Sequence, residues 1–326
     1  MIWLTWRQFR TQAALAAAGV AALAVLLAAT GPHLAGLYDA AGPDLMHQIT
    51  GADQTVYFVG GLAVLLLPAL IGMFWGAPLI ASELESGTHH LAWNQGTTRT
   101  RWLLSKLSLT GLAAMTATGL ASLAVTWWSN PIDQAVNAGG SDNTDNFLPR
   151  IDPVTFGARG IVPLGYALFA FLLGVTLGVM IRRTVPAMGA TLAAFAAVQI
   201  TMPLWIRPHL ATPVTTDIAF TPGTLANYGI SSVSHVDIGK PGAWVTTEHT
   251  LNASGQTASR MPTTYADCDS IKACAKALAD AGYHQRVTYQ PASNFWALQW
   301  AEAGIYLGLT AAATALCVWW VHRRTV

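Results

Sequence analysis

The chain has 326 residues, yet charged residues are only 10% of it and the hydrophobic set is 53%, with 13 Trp. A typical soluble protein carries about 25% charge, so this composition excludes a water-soluble surface, and its hydrophobicity excludes intrinsic disorder. The 17 Lys and Arg nearly cancel the 16 Asp and Glu, so no net charge points to nucleic acid.

In residues 1–12 and at their junction with the next segment, Ile2, Trp6, Phe9 and Ala13 recur at helical spacing, with Trp3 beside them and Arg7, Gln8, Arg10 and Thr11 mostly opposite. This pattern predicts a short interfacial helix, with the rings of Trp3 and Trp6 at headgroup level and Arg7 and Arg10 toward water. The alternative is a disordered start with two positive-inside arginines. Uncharged runs follow at 11–38, 54–82, 107–132, 160–181, 184–206 and 303–321. Each supplies the roughly 20 apolar residues that a helix needs to cross a bilayer core. The runs predict six membrane-spanning helices at 13–31, 56–81, 106–129, 160–181, 185–205 and 296–321. Gly31-Pro32-His33 lacks a small-x-small cleavage pattern, so the first span is read as retained.

Gly72/Gly76, Gly174/Gly178 and Gly304/Gly308 form Gly-x-x-x-Gly pairs within spans, which allow close helix approach within or between protomers. Pro68, Pro78, Pro186 and Pro203 are placed to kink spans two and five. The segment 82–102 is the longest connection on its side and the one there with acids, Glu83 and Glu85. Thr88 can cap a short helix over 89–95, ended by Gly96. Leu91 and Trp93 are too apolar for a solvated link, so the segment reads as a docking element or as a helix packed on the chain's own span ends.

Residues 206–295 are too many for a bare connector. Ile271, Cys274, Ala275 and Leu278 define a helix face over 271–281, with Asp269 or Ser270 to cap it and Gly282 to end it. Val287-Thr288-Tyr289 and Trp244-Val245-Thr246-Thr247 read as short strands. Cys268 and Cys274 lie on the oxidising side in the topology given below, and this predicts a disulfide that fixes the start of the helix. Cys317, in span six, is read as packing. Glu302 is the one carboxylate within a predicted span. Eighteen residues before Trp320, it stands about 27 Å from the inner boundary. It reads as a side chain that snorkels to water, or as an exit-side polar contact or partner for an outer-loop cation.

On one side of the membrane the connections carry Arg7, Arg10, Arg99, Arg101, Lys106, Arg182, Arg183, Arg323 and Arg324. The first two connections on the other side carry Arg150 and Arg159 against seven aspartates. The positive-inside bias therefore puts both termini in the cytoplasm and 206–295 outside. The fold class is an all-α polytopic membrane protein with six transmembrane helices, an N-terminal interfacial helix and a small extracellular α/β cap between helices 5 and 6. The domains are 1–205, with the cytoplasmic segment at 82–102, then the cap at 206–295, then the last helix and tail at 296–326.

Catalytic chemistry is not visible. No Gly-x-x-x-x-Gly-Lys-Ser/Thr occurs, so nucleotide is not bound through a P-loop. His89 and His90 are adjacent and diverge on a helix, and His-Glu-x-x-His and Gly-x-Ser-x-Gly are absent, so no metal or nucleophile site is read.

Glu83-Leu84-Glu85-Ser86-Gly87-Thr88, followed by Arg99-x-Arg101 and Lys106, resembles the type-2 permease subunit of ATP-binding cassette exporters. Trp3-x-x-Trp6-Arg7-x-x-Arg10 resembles that family's membrane-surface connecting helix. The stretch Tyr289-Gln290-Pro291-Ala292-Ser293-x-Phe295-Trp296, with Gln299, Glu302, Trp319-Trp320 and Arg323-Arg324, resembles the actinobacterial branch. Many members carry Pro before the basic turn, where this chain has Thr97-Thr98.

The resemblance implies a coupling helix seated in an ATPase groove, carried here by Glu83, Glu85, Gly87, Thr88, His89, His90, Leu91 and Trp93. It implies two ATPase subunits binding Mg-ATP on separate chains, a second permease copy forming a homodimer, residence in the cell membrane and no cofactor on this chain. The function it implies is alternating-access export of an amphipathic or hydrophobic substrate. The alternative is a non-transporting membrane sensor or assembly protein.

Overall fold

The structure is a computed structural model that describes residues 2–87, 99–140, 147–221, 224, 238–258 and 268–324. Among the described residues, six helices are long and apolar enough to cross a membrane: Phe9–His47, Gly51–Glu85, Trp102–Asn137, Val162–Ile181, Thr184–His209 and Ala292–Val321.

The first departure from expectation is at the start. Helix α1 runs unbroken over Ile2–Ala41, through Pro32. No separate helix over 1–12 exists, because nothing between Arg10 and Ala13 breaks a helix. Trp3, Trp6 and Arg7 lie on the first turns of α1, but their side chains are outside the described residues; Arg10 is exposed. Phe9 is buried and meets Trp75 edge-on, with ring centroids 4.7 Å apart.

The second span is α2 (Gly51–Ile71), a wide π turn (Gly72–Gly76) and α3 (Ala77–Glu85). It opens on a capping box, in which Thr50 and Asp53 each bond the other's backbone N–H. The π turn has a cause two residues later. Pro78 has no N–H and its ring crowds the carbonyl one turn back; a wider turn there relieves the clash.

The third span, α4 (Arg99–Asn137), continues through Pro131 well beyond its predicted end. Helices α5 (Val162–Ile181) and α6 (Thr184–Thr201) are joined by Arg182 and Arg183 alone. Arg182 adopts a left-handed φ of 60°. Pro186 lies in the first turn of α6, where a missing N–H costs nothing, so it is not a kink site. A second π turn over Met202–Ile206 includes Pro203 and again precedes a proline, Pro208.

The described residues between 214 and 290 form the expected small α/β unit. Strands β1 (Val214–Ala219), β2 (Trp244–Leu251) and β3 (His284–Gln290) pair antiparallel in the order β1-β3-β2. Strand β1 went unpredicted, because Asp217 interrupts its β-branched run. Helix α7 (Ile271–Asp280) starts where Ser270 Oγ accepts from Ala273 N, and the chain turns away at Gly282, whose φ is 74°. It buries Cys274, Ala275 and Leu278, the last two against Phe220; the side chain of Ile271 is outside the described residues. On the sheet, Asp217 takes two hydrogen bonds from Arg286. These hold its carboxyl below the usual range.

Cys268 and Cys274 form a disulfide, with Cα atoms 5.2 Å apart, and Cys317 is buried and free on α8 (Phe295–Arg324). Peptide mapping under non-reducing conditions should recover 268 and 274 linked. The Cys268→Ser/Cys274→Ser variant should lose less than the ~3 kcal/mol expected of a 15-residue loop, without loss from the membrane. Free thiols at both positions would refute the pairing.

Candidate functional site

Two sets of polar side chains tie the spans together, one at each end. At the end where α3 stops, Glu83 pairs with Lys106 of α4, whose side chain is only 5% exposed. Lys106 also lies over the Trp102 ring, 5.0 Å from its centroid. A buried lysine with one carboxylate partner and an aromatic face is compensated where lone burial would be costly.

Glu85, the last residue of α3, turns the other way. Its Oε2 accepts from Thr184 N at 3.0 Å and from Thr184 Oγ1 at 2.8 Å. It thereby caps α6, whose own N-cap residue, Arg183, makes no side-chain cap. Gly87 follows with φ 72°, the left-handed conformation that ends a helix and that glycine adopts without strain. Of the other residues expected to form the coupling helix, Thr88, His89, His90, Leu91 and Trp93 lie outside the described residues.

The helix α3 is fused to α5 by backbone contact. A Cβ at Gly72 would stand 2.7 Å from the Ala170 carbonyl oxygen, and Gly76 is closer still to that of Phe171. Gly174 lies against the Gly72 carbonyl and Gly178 against that of Ala77. Two of the three Gly-x-x-x-Gly pairs therefore interlock within one protomer. The third does not: a Cβ at Gly304 or Gly308 would meet nothing within 4 Å among the described residues.

At the opposite end, Glu302 is fully buried and does not snorkel to water. Its carboxylate takes Arg207 Nε at 2.7 Å and Nη2 at 3.0 Å, with the Tyr166 hydroxyl as a third donor. Arg207 Nη1 donates to the Pro153 carbonyl at 3.2 Å, and its guanidinium lies 4.2 Å from the Phe156 ring centroid. A bidentate guanidinium–carboxylate pair with further hydrogen bonds is the geometry in which a buried ion pair is tolerated. The pair joins α8 to the end of the fifth span, and Tyr166 adds α5.

Nearby, Gln299 is also fully buried. Its Oε1 accepts from Ile161 N at 2.9 Å and Val162 N at 3.0 Å, capping α5; its Nε2 donates to the carbonyls of Phe156 and Arg159. Gly160, at φ 66°, leaves the room this amide needs. The α5–α6 hairpin is thus capped at both starts by side chains from other spans. Gln290 fastens the α/β unit to the fifth span by donating to the carbonyls of Pro208 and Ala211, at 3.0 and 2.8 Å. Asp152 caps the short turn over Pro153–Phe156 through Val154 N, and burial pushes its carboxyl up from the usual range.

Sequence reading gave Glu302 and Glu85 but not their partners. A carboxylate inside a span demands a cation, and Arg207 is the arginine just past the fifth uncharged run. That was the available signal. Nothing local marks Tyr166 or Thr184.

An open apolar groove of about 900 Å³ runs between α1 and α4. Alanines such as Ala17, Ala21 and Ala117 form its walls, Trp75 and Trp127 are among its larger side chains, and Thr116 is its one hydroxyl. Among the described residues no group of His, Cys, Asp and Glu could hold a metal ion.

No curated protein and no solved structure matches the chain. Residues 17–207, more than half of it, match the family model described as ABC-2 membrane transporter related. With six apolar helices able to span a bilayer, the chain belongs to the ABC-2 membrane transporter related family.

Proposed function

We propose that this chain is the membrane-spanning permease subunit of an ATP-binding cassette exporter, of the kind found in actinobacteria. ATP, with its magnesium, is bound and hydrolysed on a separate ATPase subunit. Two permease copies and two ATPases form the working unit. The segment 82–102 is the coupling element, and ATPase closure moves it. The spans respond by alternating access, and the cargo is amphipathic or hydrophobic. Both termini are cytoplasmic, the first turns of α1 lie at the inner surface of the cell membrane, and the α/β unit is outside.

The observation that carries this reading is the family match across residues 17–207, which contains the whole coupling segment and its anchors on α4 and α6. Other features agree. The groove between α1 and α4 is walled almost entirely by apolar side chains, which suits such a cargo. The uncovered Gly304 and Gly308 on α8 suit close packing against another helix.

The test is co-purification. The chain, extracted in mild detergent, should bring down a P-loop ATPase, first sought in the neighbouring reading frame, in one-to-one ratio. Recovery of the permease alone, with no ATPase bound and no nucleotide hydrolysis, would sink the reading.

A further inference from the structure

We propose that Glu83 and Glu85 are positioning residues that carry motion from the coupling segment into α4 and α6, and that neither is a contact for the ATPase. The inference rests on the permease reading above and deepens it.

The two acids are two residues apart at the end of one helix, so they point about 200° apart around its axis. Each has a partner on a different span. Glu83 reaches Lys106 on α4, in a pair with side chains 5% and 16% exposed. Glu85 reaches Thr184, where one oxygen takes both the backbone N–H and the hydroxyl. Leu84, between them, packs on the apolar core at this end.

The contact at α6 has a particular logic. The first N–H groups of a helix have no partner within it, and they present a partial positive charge. A Ser, Thr, Asp or Asn at the N-cap commonly meets this need with its own side chain. Here Arg183 holds that position and supplies no cap, and a carboxylate 99 residues away in sequence does so instead. A cap borrowed from another span is a tether as well as a cap.

The start of α3 is held in another way: Gly174 and Gly178 on α5 lie against the backbone at Gly72 and Ala77. Such contacts lock that end of α3 against α5; its last turn is held by Leu84 and by the two acids, one on each side. A push on the chain beyond Gly87 is thus delivered to α4 through Glu83 and to α6 through Glu85, while α5 follows by contact and through its two-residue link.

The experiment uses the full permease–ATPase complex in lipid nanodiscs, with ATP as the probe. Two quantities are read: the ATPase bound per permease, and the rate of hydrolysis by the complex. Glu85→Ala should keep the bound ATPase and lower hydrolysis at least about fivefold, the low end of a typical coupling free energy. Glu85→Gln retains an acceptor oxygen and should stay within about twofold of the parent.

Glu85→Ala/Arg183→Ser gives α6 a cap of its own and should remain as impaired as Glu85→Ala, each normalised to its Glu85 parent. Recovery in that double variant would reduce Glu85 to a helix cap and overturn the inference. So would loss of bound ATPase in Glu85→Ala, which would make the acid a motor contact, and so would unchanged hydrolysis. If Glu85→Ala does not accumulate in the membrane, Glu85→Gln decides: parental hydrolysis supports the tether, and loss overturns it. Absence of any ATPase on the parent permease would instead sink the permease reading itself, so the two failures are distinguishable.

Discussion

Glu302→Ala should destabilise the folded protein by about 3–5 kcal/mol, because it leaves the guanidinium of Arg207 buried without its counter-charge. Arg207 is 2% exposed and has no route to water that keeps its place against Phe156. Tyr166 would lose its acceptor at the same time. The expected result is a lower thermal midpoint in detergent and a smaller monodisperse fraction on size exclusion. The mirror variant, Arg207→Ala, should be as damaging. The double variant Glu302→Leu/Arg207→Met, which removes both charges and keeps the volume, should recover most of the loss. The measurement is thermal unfolding of all four proteins in one detergent. A double variant no better than the single ones would mean that the pair matters for something other than charge compensation.

Gly174→Val should sharply reduce the yield of folded protein. A Cβ there meets the Gly72 carbonyl and stands 2.8 Å from the Ala77 nitrogen. Both are backbone, so no rotamer change relieves the overlap, and α3 and α5 must separate. Even Gly174→Ala should reduce the amount of folded protein recovered. Overpacking in a filled interior typically costs about 1–3 kcal/mol, and a backbone-to-backbone contact has the least freedom to yield. Gly304→Ala on α8, with nothing within 4 Å, should be silent in the folding of one protomer. Parallel yields of the three proteins check this, and equal yields for Gly174→Val and the parent would refute the interlock.

The six spans were legible because a bilayer imposes one strong rule: long uncharged runs mark the crossings. Their ends were not, because that rule stops where lipid stops while helices continue. Helix α4 carries Asp133 beyond its predicted end, and that acid is buried 3.7 Å from Arg159 rather than solvated in a loop. Helix α7 of the α/β unit was legible from Ala275 and Leu278 at helical spacing, with Ser270 and Gly282 at its ends. The polar ties were half legible. Glu302 was conspicuous, but Arg207 is 95 residues away in sequence, and periodicity sees only a few turns. The glycine pairs announced close packing without naming the partner, since Gly72, Gly174 and Gly304 present the same pattern and differ only in what lies opposite.

The wide turn at Gly72–Gly76 sets a phase. An i→i+5 turn holds about one residue more than an α turn, and each α-helical residue advances the helix by about 100°. Everything beyond the turn is therefore rotated relative to the face that α2 presents. With one residue fewer there, the helix could run regularly through the membrane and still bury an apolar surface. Glu83 and Glu85 would then point about 100° away from Lys106 and Thr184. The local irregularity thus works as an angular offset between the upper and lower halves of one span. It lets the upper half choose its neighbours by shape while the lower half aims its carboxylates independently.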